Sequence, residues 1–219
     1  MWDQSRRSQI TFIVLAVAGL VLGWLAHNYT RFPGDLQVTL VLQNFHNRVL
    51  LAVMEGLSYV IADWKGIILV VIAAVIFWRT IGVVEGSMIL LAGLFTGSNE
   101  IFKIIVNRPR PTADLIQVFV VESEKSFPSG HAFFAVAVLG FIAYLITTRQ
   151  SKLYQKALTA SVCVLFILLV GVSRIYLGAH WGSDVIGGYM VGAAFLVLEV
   201  WIYKRFKPRF FTNRSLTVE

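Results

Sequence analysis

Charge and cysteine are both scarce in this chain. Only 14% of its 219 residues are charged while 57% are hydrophobic, which excludes an ordinary soluble globular domain. The single cysteine, Cys163, excludes an intrachain disulfide and leaves the redox compartment unread; in its setting ASVCVLFILLV it serves as one more small hydrophobe. The first apolar run, ITFIVLAVAGLVLGWLA (10–26), follows Arg6 and Arg7 and lacks a small-residue cleavage site, so a retained helix is expected rather than a signal peptide. No internal repeat is found. What remains is an integral membrane protein. Nineteen basic against twelve acidic residues give a net charge of +7, a surplus that suits nucleic acid, anionic lipid or an anionic substrate. Apolar runs of this length argue against the first.

A crossing of the hydrocarbon core takes roughly 20 apolar residues. Five runs approach or exceed that length: 10–26, 81–106, 129–147, 157–177 and 184–203. The stretch 35–79 is too long for one helix and is broken by polar residues; one crossing is expected over 60–78, with 35–55 lying as an amphipathic segment near the interface. Glu55, inside VLLAVMEGLSYVIA, argues against a separate crossing there, because a lone carboxylate at the bilayer centre costs several kcal/mol. The expected fold class is therefore all-α. Six transmembrane helices, with a short interfacial helical segment between the first and second, form a single domain over 1–219.

The charges give that plan a direction. With both termini in the cytoplasm, Arg6, Arg7, Arg79, Arg149, Lys152, Lys156, Lys204, Arg205, Lys207, Arg209 and Arg214 lie inside, eleven of nineteen cations, as the positive-inside rule asks. Four of the eight left outside are Lys103, Arg108, Arg110 and Arg174, and an anion at the outer face would hold them there. Helix parity alone brings three clusters to that face: KIIVNRPRP (103–111), SFPSGH (126–131) and SRIYLGAHWGSD (173–184). Each carries what phosphate chemistry needs. Lys and Arg neutralise non-bridging oxygens, Arg with a bidentate fork. In PSGH the proline breaks the incoming chain, Ser129 suits an N-cap, and Gly130 lets backbone amides approach an anion. His131 and His180 supply titratable nitrogens, and Asp184 follows His180 by one helical turn.

Lys103 with six residues to Arg110-Pro111, then PSGH, then Ser173-Arg174 with five residues to His180 and three more to Asp184, resembles the three-part signature of the type 2 phosphatidic acid phosphatase superfamily. Every signature position is filled. Vanadium haloperoxidases share the signature but are soluble, and glucose-6-phosphatases are larger. By size and hydropathy this chain is similar to bacterial membrane lipid phosphatases of the phosphatidylglycerophosphate phosphatase B and undecaprenyl pyrophosphate phosphatase types. The resemblance implies His180 as nucleophile forming a phosphohistidine, and Asp184 holding its other ring nitrogen. It implies His131 as the acid that protonates the leaving oxygen and then the base for water. Lys103, Arg110, Arg174, Ser129 and the Gly130 amide would bind the equatorial oxygens. No metal and no cofactor are implied, and the outer face shows no carboxylate cluster suited to magnesium.

Other residues carry open alternatives. Arg108 anchors lipid phosphates or contacts substrate; Glu100 pairs with Lys103 or is a simple boundary carboxylate. The acidic VESEKS (121–126) is a solvated loop end or a screen over the site. His27 and His46 read as interfacial. The GxxxG patterns from Gly19, Gly93 and Gly188 read as packing within one subunit, with the oligomeric state open. A phosphate site under a short loop (112–128) at the membrane surface favours a lipid phosphate. The segment 28–60 is a candidate lid or lipid entrance. Phosphatidylglycerophosphate is the expected substrate, with undecaprenyl pyrophosphate or a broad range of lipid phosphates as alternatives. A transporter would carry its charges near mid-membrane; a silent lipid-binding protein would be expected to lack a histidine or the aspartate.

Overall fold

The computed structural model describes residues 2–45, 47–122 and 125–211. His46, Ser123, Glu124 and Arg214 fall outside the described residues, so the interfacial reading of His46 and part of the VESEKS stretch lie there too. All regular elements among the described residues are helical: α1 (Trp2–Asn28), α2 (Asp35–Asn44), α3 (Arg48–Tyr59), α4 (Asp63–Thr80), α5 (Val83–Thr96), α6 (Asn99–Val106), α7 (Gly130–Phe134), a π turn (Ala135–Leu139), α8 (Gly140–Thr147), α9 (Leu153–Tyr176) and α10 (Gly182–Phe211). Five helical stretches are long and apolar enough to cross a membrane: Arg6–Asn28, Val83–Val106, Gly130–Thr147, Leu153–Tyr176 and Gly182–Lys207. Counting the bent pair α3 and α4 as one span gives six. The all-helical membrane plan expected from the apolar runs is the one observed, with five candidate spans, or six with the bent pair counted as one.

One local expectation is corrected. The segment 35–55 is two helices, because Asn47 starts α3 by accepting a hydrogen bond from Leu50 N at 2.8 Å. α3 then meets α4 at a 63° bend, where Asp63 takes φ 50°. Glu55 lies on the exposed side of α3, so this leg carries its carboxylate outward rather than into the bundle. The run 81–106 is one candidate span, Val83–Val106, with a turn at Gly97-Ser98 between α5 and α6. Thr96 and Ser98 hydroxyls donate to Gly93 O and Phe95 O at 2.6 and 2.7 Å, side-chain bonds of the kind that compete with continued helix.

Helix association in a bilayer rests on close packing and satisfied polar groups, since lipid is as apolar as leucine. Accordingly α1 and α4 turn Ile13, Val14, Val17, Ile67, Ile72 and Val75 outward. The core is built by Val70, Ile89, Phe134, Val138, Phe141, Leu145, Val170 and Tyr203 from α4, α5, α7, the π turn, α8, α9 and α10. α10 lies backbone-close on α7: a Cβ on Gly188 would stand 2.8 Å from Ala132 Cβ, and one on Gly192 2.9 Å from Phe133 O. The glycine repeats thus serve packing within the chain. α2 is inverted relative to a helix in water. Its polar stripe Asp35, Thr39 and Gln43 is buried while Val38, Leu40 and Val41 are exposed, as a helix lying on protein with its back to lipid requires.

Candidate active site

α6 and the strap after it deliver the first cations. Asn107 ends α6 in the left-handed region at φ 52°, its N–H bonded to Lys103 O at 2.9 Å, a conformation asparagine tolerates. Lys103 is buried on α6 and pairs with Glu100 Oε1 at 3.1 Å, so Glu100 is a partner of Lys103. Beyond the turn the chain is non-helical, and Arg108 and Arg110 take different destinations. Arg110 Nη1 donates to Ala179 O at 2.6 Å and lies 3.1 Å from His180 Nε2. Arg108 is 1% exposed. It bonds Asp35 Oδ2 at 3.0 Å, Ser183 Oγ at 2.8 Å and Asp184 Oδ1, and its guanidinium stacks 4.7 Å from the Phe32 ring centre. Neither expected role for Arg108, lipid anchor or substrate contact, fits a side chain so enclosed.

The end of α9 aims the histidine. Gly178 takes φ +69°, its N–H bonds Ile175 O, and Ala179 N–H bonds Arg174 O, the paired closure of a Schellman motif. A Cβ on Gly178 would collide with the Gln117 carbonyl, so both conformation and space require glycine. This turn throws the chain back over α9, so that Arg174 and His180 converge and His180 N–H also bonds Arg174 O at 3.2 Å. His180 is 1% exposed. Burial, then the Arg110 and Arg174 charges, hold its imidazole well below the ordinary histidine pKa. It is therefore neutral at pH 7, and the Arg110 donor at Nε2 puts the ring proton on Nδ1.

α7 and α10 complete the cluster. Ser129 is the N-cap residue of α7, yet its hydroxyl makes no capping bond; Oγ is buried without a hydrogen-bond partner in the protein. Its N–H instead bonds Asp184 O at 3.0 Å, tying the two helix starts together. His131, in the first turn of α7, has Nε2 3.5 Å from Ser58 Oγ, and Ser58 also receives Arg174 Nη1. Asp184 is fully buried and accepts from Ser126 Oγ at 2.5 Å, Trp181 N at 2.9 Å and Arg108. It lies 3.8 Å from His180 Nδ1, which has no hydrogen-bond partner, so the two face each other without a bond.

An acid occupies the middle of this cradle. Glu122 places Oε2 2.6 Å from Arg110 Nη2 and Oε1 on Arg174 Nη2. Burial pushes its carboxyl up, but the Arg174 and Arg110 charges prevail and hold it at about 2. Lys103, Arg110, Arg174, Ser129, His131, His180 and Asp184 thus lie in one region. Sequence reasoning missed Asp35 and Ser58, and left Glu122 within an undecided loop. The only signal for Asp35 was a polar residue every fourth position in an apolar run, Asp35, Thr39 and Gln43.

The helical bundle thus gathers two histidines, one of them buried, an aspartate and a group of cations in one region. The PAP2 superfamily profile matches residues 81–208, and the chain belongs to that superfamily. Phosphatidylglycerophosphatase B of Bacillus subtilis is 34% identical over 144 residues, 64% of this chain and 68% of that one. An undecaprenyl-diphosphatase of Sulfolobus acidocaldarius is 29% identical over 106 residues, 47% of each chain. The crystal structure of a transmembrane PAP2 type phosphatidylglycerolphosphate phosphatase from Bacillus subtilis superposes with a TM-score of 0.78 at 27% identity, covering 89% of this chain and 96% of that one. The chain is a homologue of membrane lipid phosphatases.

Proposed function

We propose that this protein hydrolyses the phosphate of a membrane lipid through a phosphohistidine on His180, as one six-span domain. The observation that carries the reading is His180 itself: neutral, with Nε2 facing Arg110 3.1 Å away inside the cation cage. Substrate phosphate takes the place of the Glu122 carboxylate between Arg110 and Arg174. Lys103, the free Ser129 hydroxyl and the Gly130 amide bind its remaining oxygens. The Nε2 lone pair forms the N–P bond as the ester or anhydride P–O bond breaks, and His131 gives its proton to the leaving oxygen. Charge developing on the imidazolium draws Nδ1–H toward Asp184, closing the 3.8 Å gap; such bonds are often long before substrate binds. Water then gives a proton to His131 and attacks phosphorus. The N–P bond breaks, its electrons return to Nε2, and inorganic phosphate leaves.

The donor set is that of an anion site. Asp184 and Glu122 are both engaged by arginines, which supports catalysis without a metal. Position supports a lipid substrate, because the site lies at one end of the bundle beside α2 and α3, which leave apolar side chains such as Val38, Val41, Val49 and Val53 exposed. The positive-inside distribution supports cytoplasmic termini and a site at the outer face of a bacterial membrane. Phosphatidylglycerophosphate is the favoured substrate, supported by the Bacillus subtilis relatives; undecaprenyl pyrophosphate is the alternative favoured by the Sulfolobus relative.

The test is turnover of phosphatidylglycerophosphate, phosphatidic acid and undecaprenyl pyrophosphate by wild type and His180→Ala, with EDTA present. Phosphate release abolished in the variant, with the first substrate fastest, is expected. Release that persists in His180→Ala overturns the covalent mechanism, and none in wild type overturns the enzyme.

A further inference from the structure

Behind the reactive histidine lies a second charged cluster that the signature does not include. Asp35, at the start of α2, is buried and accepts Phe32 N at 2.9 Å, Ser183 N at 2.9 Å, Ser183 Oγ at 2.7 Å and Arg108 Nη2 at 3.0 Å. Arg108 uses its other terminal nitrogen on Ser183 Oγ and Asp184 Oδ1. The three charges form a row, Asp35, Arg108, Asp184, with His180 Nδ1 at its end, 3.8 Å from Asp184 Oδ2. The row sets two carboxylates against one guanidinium.

We propose that Asp35 and Arg108 are positioning residues for the phosphohistidine step, Arg108 fixing Asp184 and Asp35 cancelling the charge of Arg108 so that Asp184 remains an effective anion beside His180. The inference rests on the reading of His180 as nucleophile. Its physical reason is the unusual load on Asp184. An arginine bonded directly to a carboxylate fixes it in place, yet also quenches the charge that should stabilise an imidazolium. A second carboxylate on the far side of the same guanidinium restores the balance while keeping the grip. The balance matters because the remaining groups around His180 are mostly cationic: Arg110 and Arg174, with Lys103 more distant, against Glu122 alone, and His131 across the cradle. When phosphate displaces Glu122, the Asp35–Arg108–Asp184 row is, among the described residues, the negative charge next to the ring. α2 thereby becomes part of the catalytic architecture.

Charge bookkeeping gives the test. Asp35→Asn leaves Arg108 and Asp184 as a neutral pair, whereas Asp35→Asn with Arg108→Gln returns the row to one negative charge on Asp184, which keeps Ser126 Oγ and Trp181 N as donors and gains the glutamine amide in place of the guanidinium. Both are compared with wild type and His180→Ala in detergent, on the same lipid phosphate, for kcat, KM and the pH profile, after thermal unfolding has shown which variants fold. Asp35→Asn is expected to lower kcat about tenfold or more, the scale seen for outer partners of functional histidines, with KM within about threefold of wild type. Its acid limb is expected to move to lower pH, since a more positive surround disfavours protonation of His180. The double variant is expected to recover most of kcat and to return the acid limb toward wild type, which a merely structural role would not produce. If Asp35→Asn does not fold, the double variant carries the test alone, and kcat within about threefold of wild type is the expected result. A wild-type kcat and acid limb in folded Asp35→Asn overturns the proposal, as does a folded double variant no more active than the single one, or far below wild type if it stands alone. An active His180→Ala or inactive wild type defeats instead the phosphohistidine reading on which it rests.

Discussion

In the proposed mechanism phosphate takes the place of the Glu122 carboxylate, and replacing Glu122 by glutamine should show how strongly it competes. In the absence of substrate its two oxygens lie on Arg110 and Arg174, and its carboxyl is held at about 2 against an ordinary 4.5. That difference corresponds to about 3 kcal/mol of net attraction between carboxylate and cage. The side chain is 27% exposed, so solvent and ions screen part of that attraction. Phosphate must displace whatever remains, and Glu122→Gln removes the charge while keeping the shape. The expected result is a fall of about tenfold in KM for a short-chain lipid phosphate, equivalent to about 1.4 kcal/mol, and a comparable fall in the inhibition constant of inorganic phosphate. With chemistry left to His180 and His131, kcat is expected to stay within severalfold. Steady-state phosphate release in detergent at pH 7 measures all three. A KM that rises or stays unchanged refutes displacement and means that the carboxylate serves to hold the guanidinium groups in place. The same contacts give a stability signature: because the folded-state pKa is depressed, the contribution is full above about pH 4.5 and is lost as the pH falls toward 2. That acid-side loss should be absent from Glu122→Gln when unfolding is followed across this range.

Two further outcomes follow from the framework around the site. Gly178→Ala forces a Cβ into the left-handed region and against the Gln117 carbonyl. It should cost about 1–3 kcal/mol of stability and lower kcat by displacing His180, read by thermal unfolding and turnover at low temperature; unchanged values for both would show that the turn does not set the histidine. At the opposite end of the bundle, buried Glu85 Oε1 receives Arg149 at 2.7 Å, Tyr203 at 2.7 Å and Lys207 at 2.9 Å. Its cationic partners are about one third exposed, so Glu85→Ala should cost about 1–3 kcal/mol, below the range for fully buried pairs, with KM unaffected. A stability change under 0.5 kcal/mol in detergent would show that this network does not bind α5, α8 and α10 together.

The sequence alone determined that the chain lives in a membrane, since runs of apolar residues near bilayer length have no other stable home. It also determined which residues meet at one face. Lys103, Arg110, Ser129, His131, Arg174, His180 and Asp184 fall at helix ends that parity sends to the same side, so their co-location needs only a count of crossings. The tertiary structure decided what each of them touches. Arg108 stands two residues from Arg110, yet it turns inward to partners 73 to 76 positions away. Asp35 reaches Ser183 across 148 positions, and Ser58 meets Arg174 across 116. Local pattern cannot announce such pairs, because an isolated polar residue in an apolar helix looks the same whether it meets lipid headgroups, water or a buried charge. In a low-dielectric interior each such group must find a partner wherever the packing of helices happens to present one. The choice of partner is therefore a property of the assembled bundle.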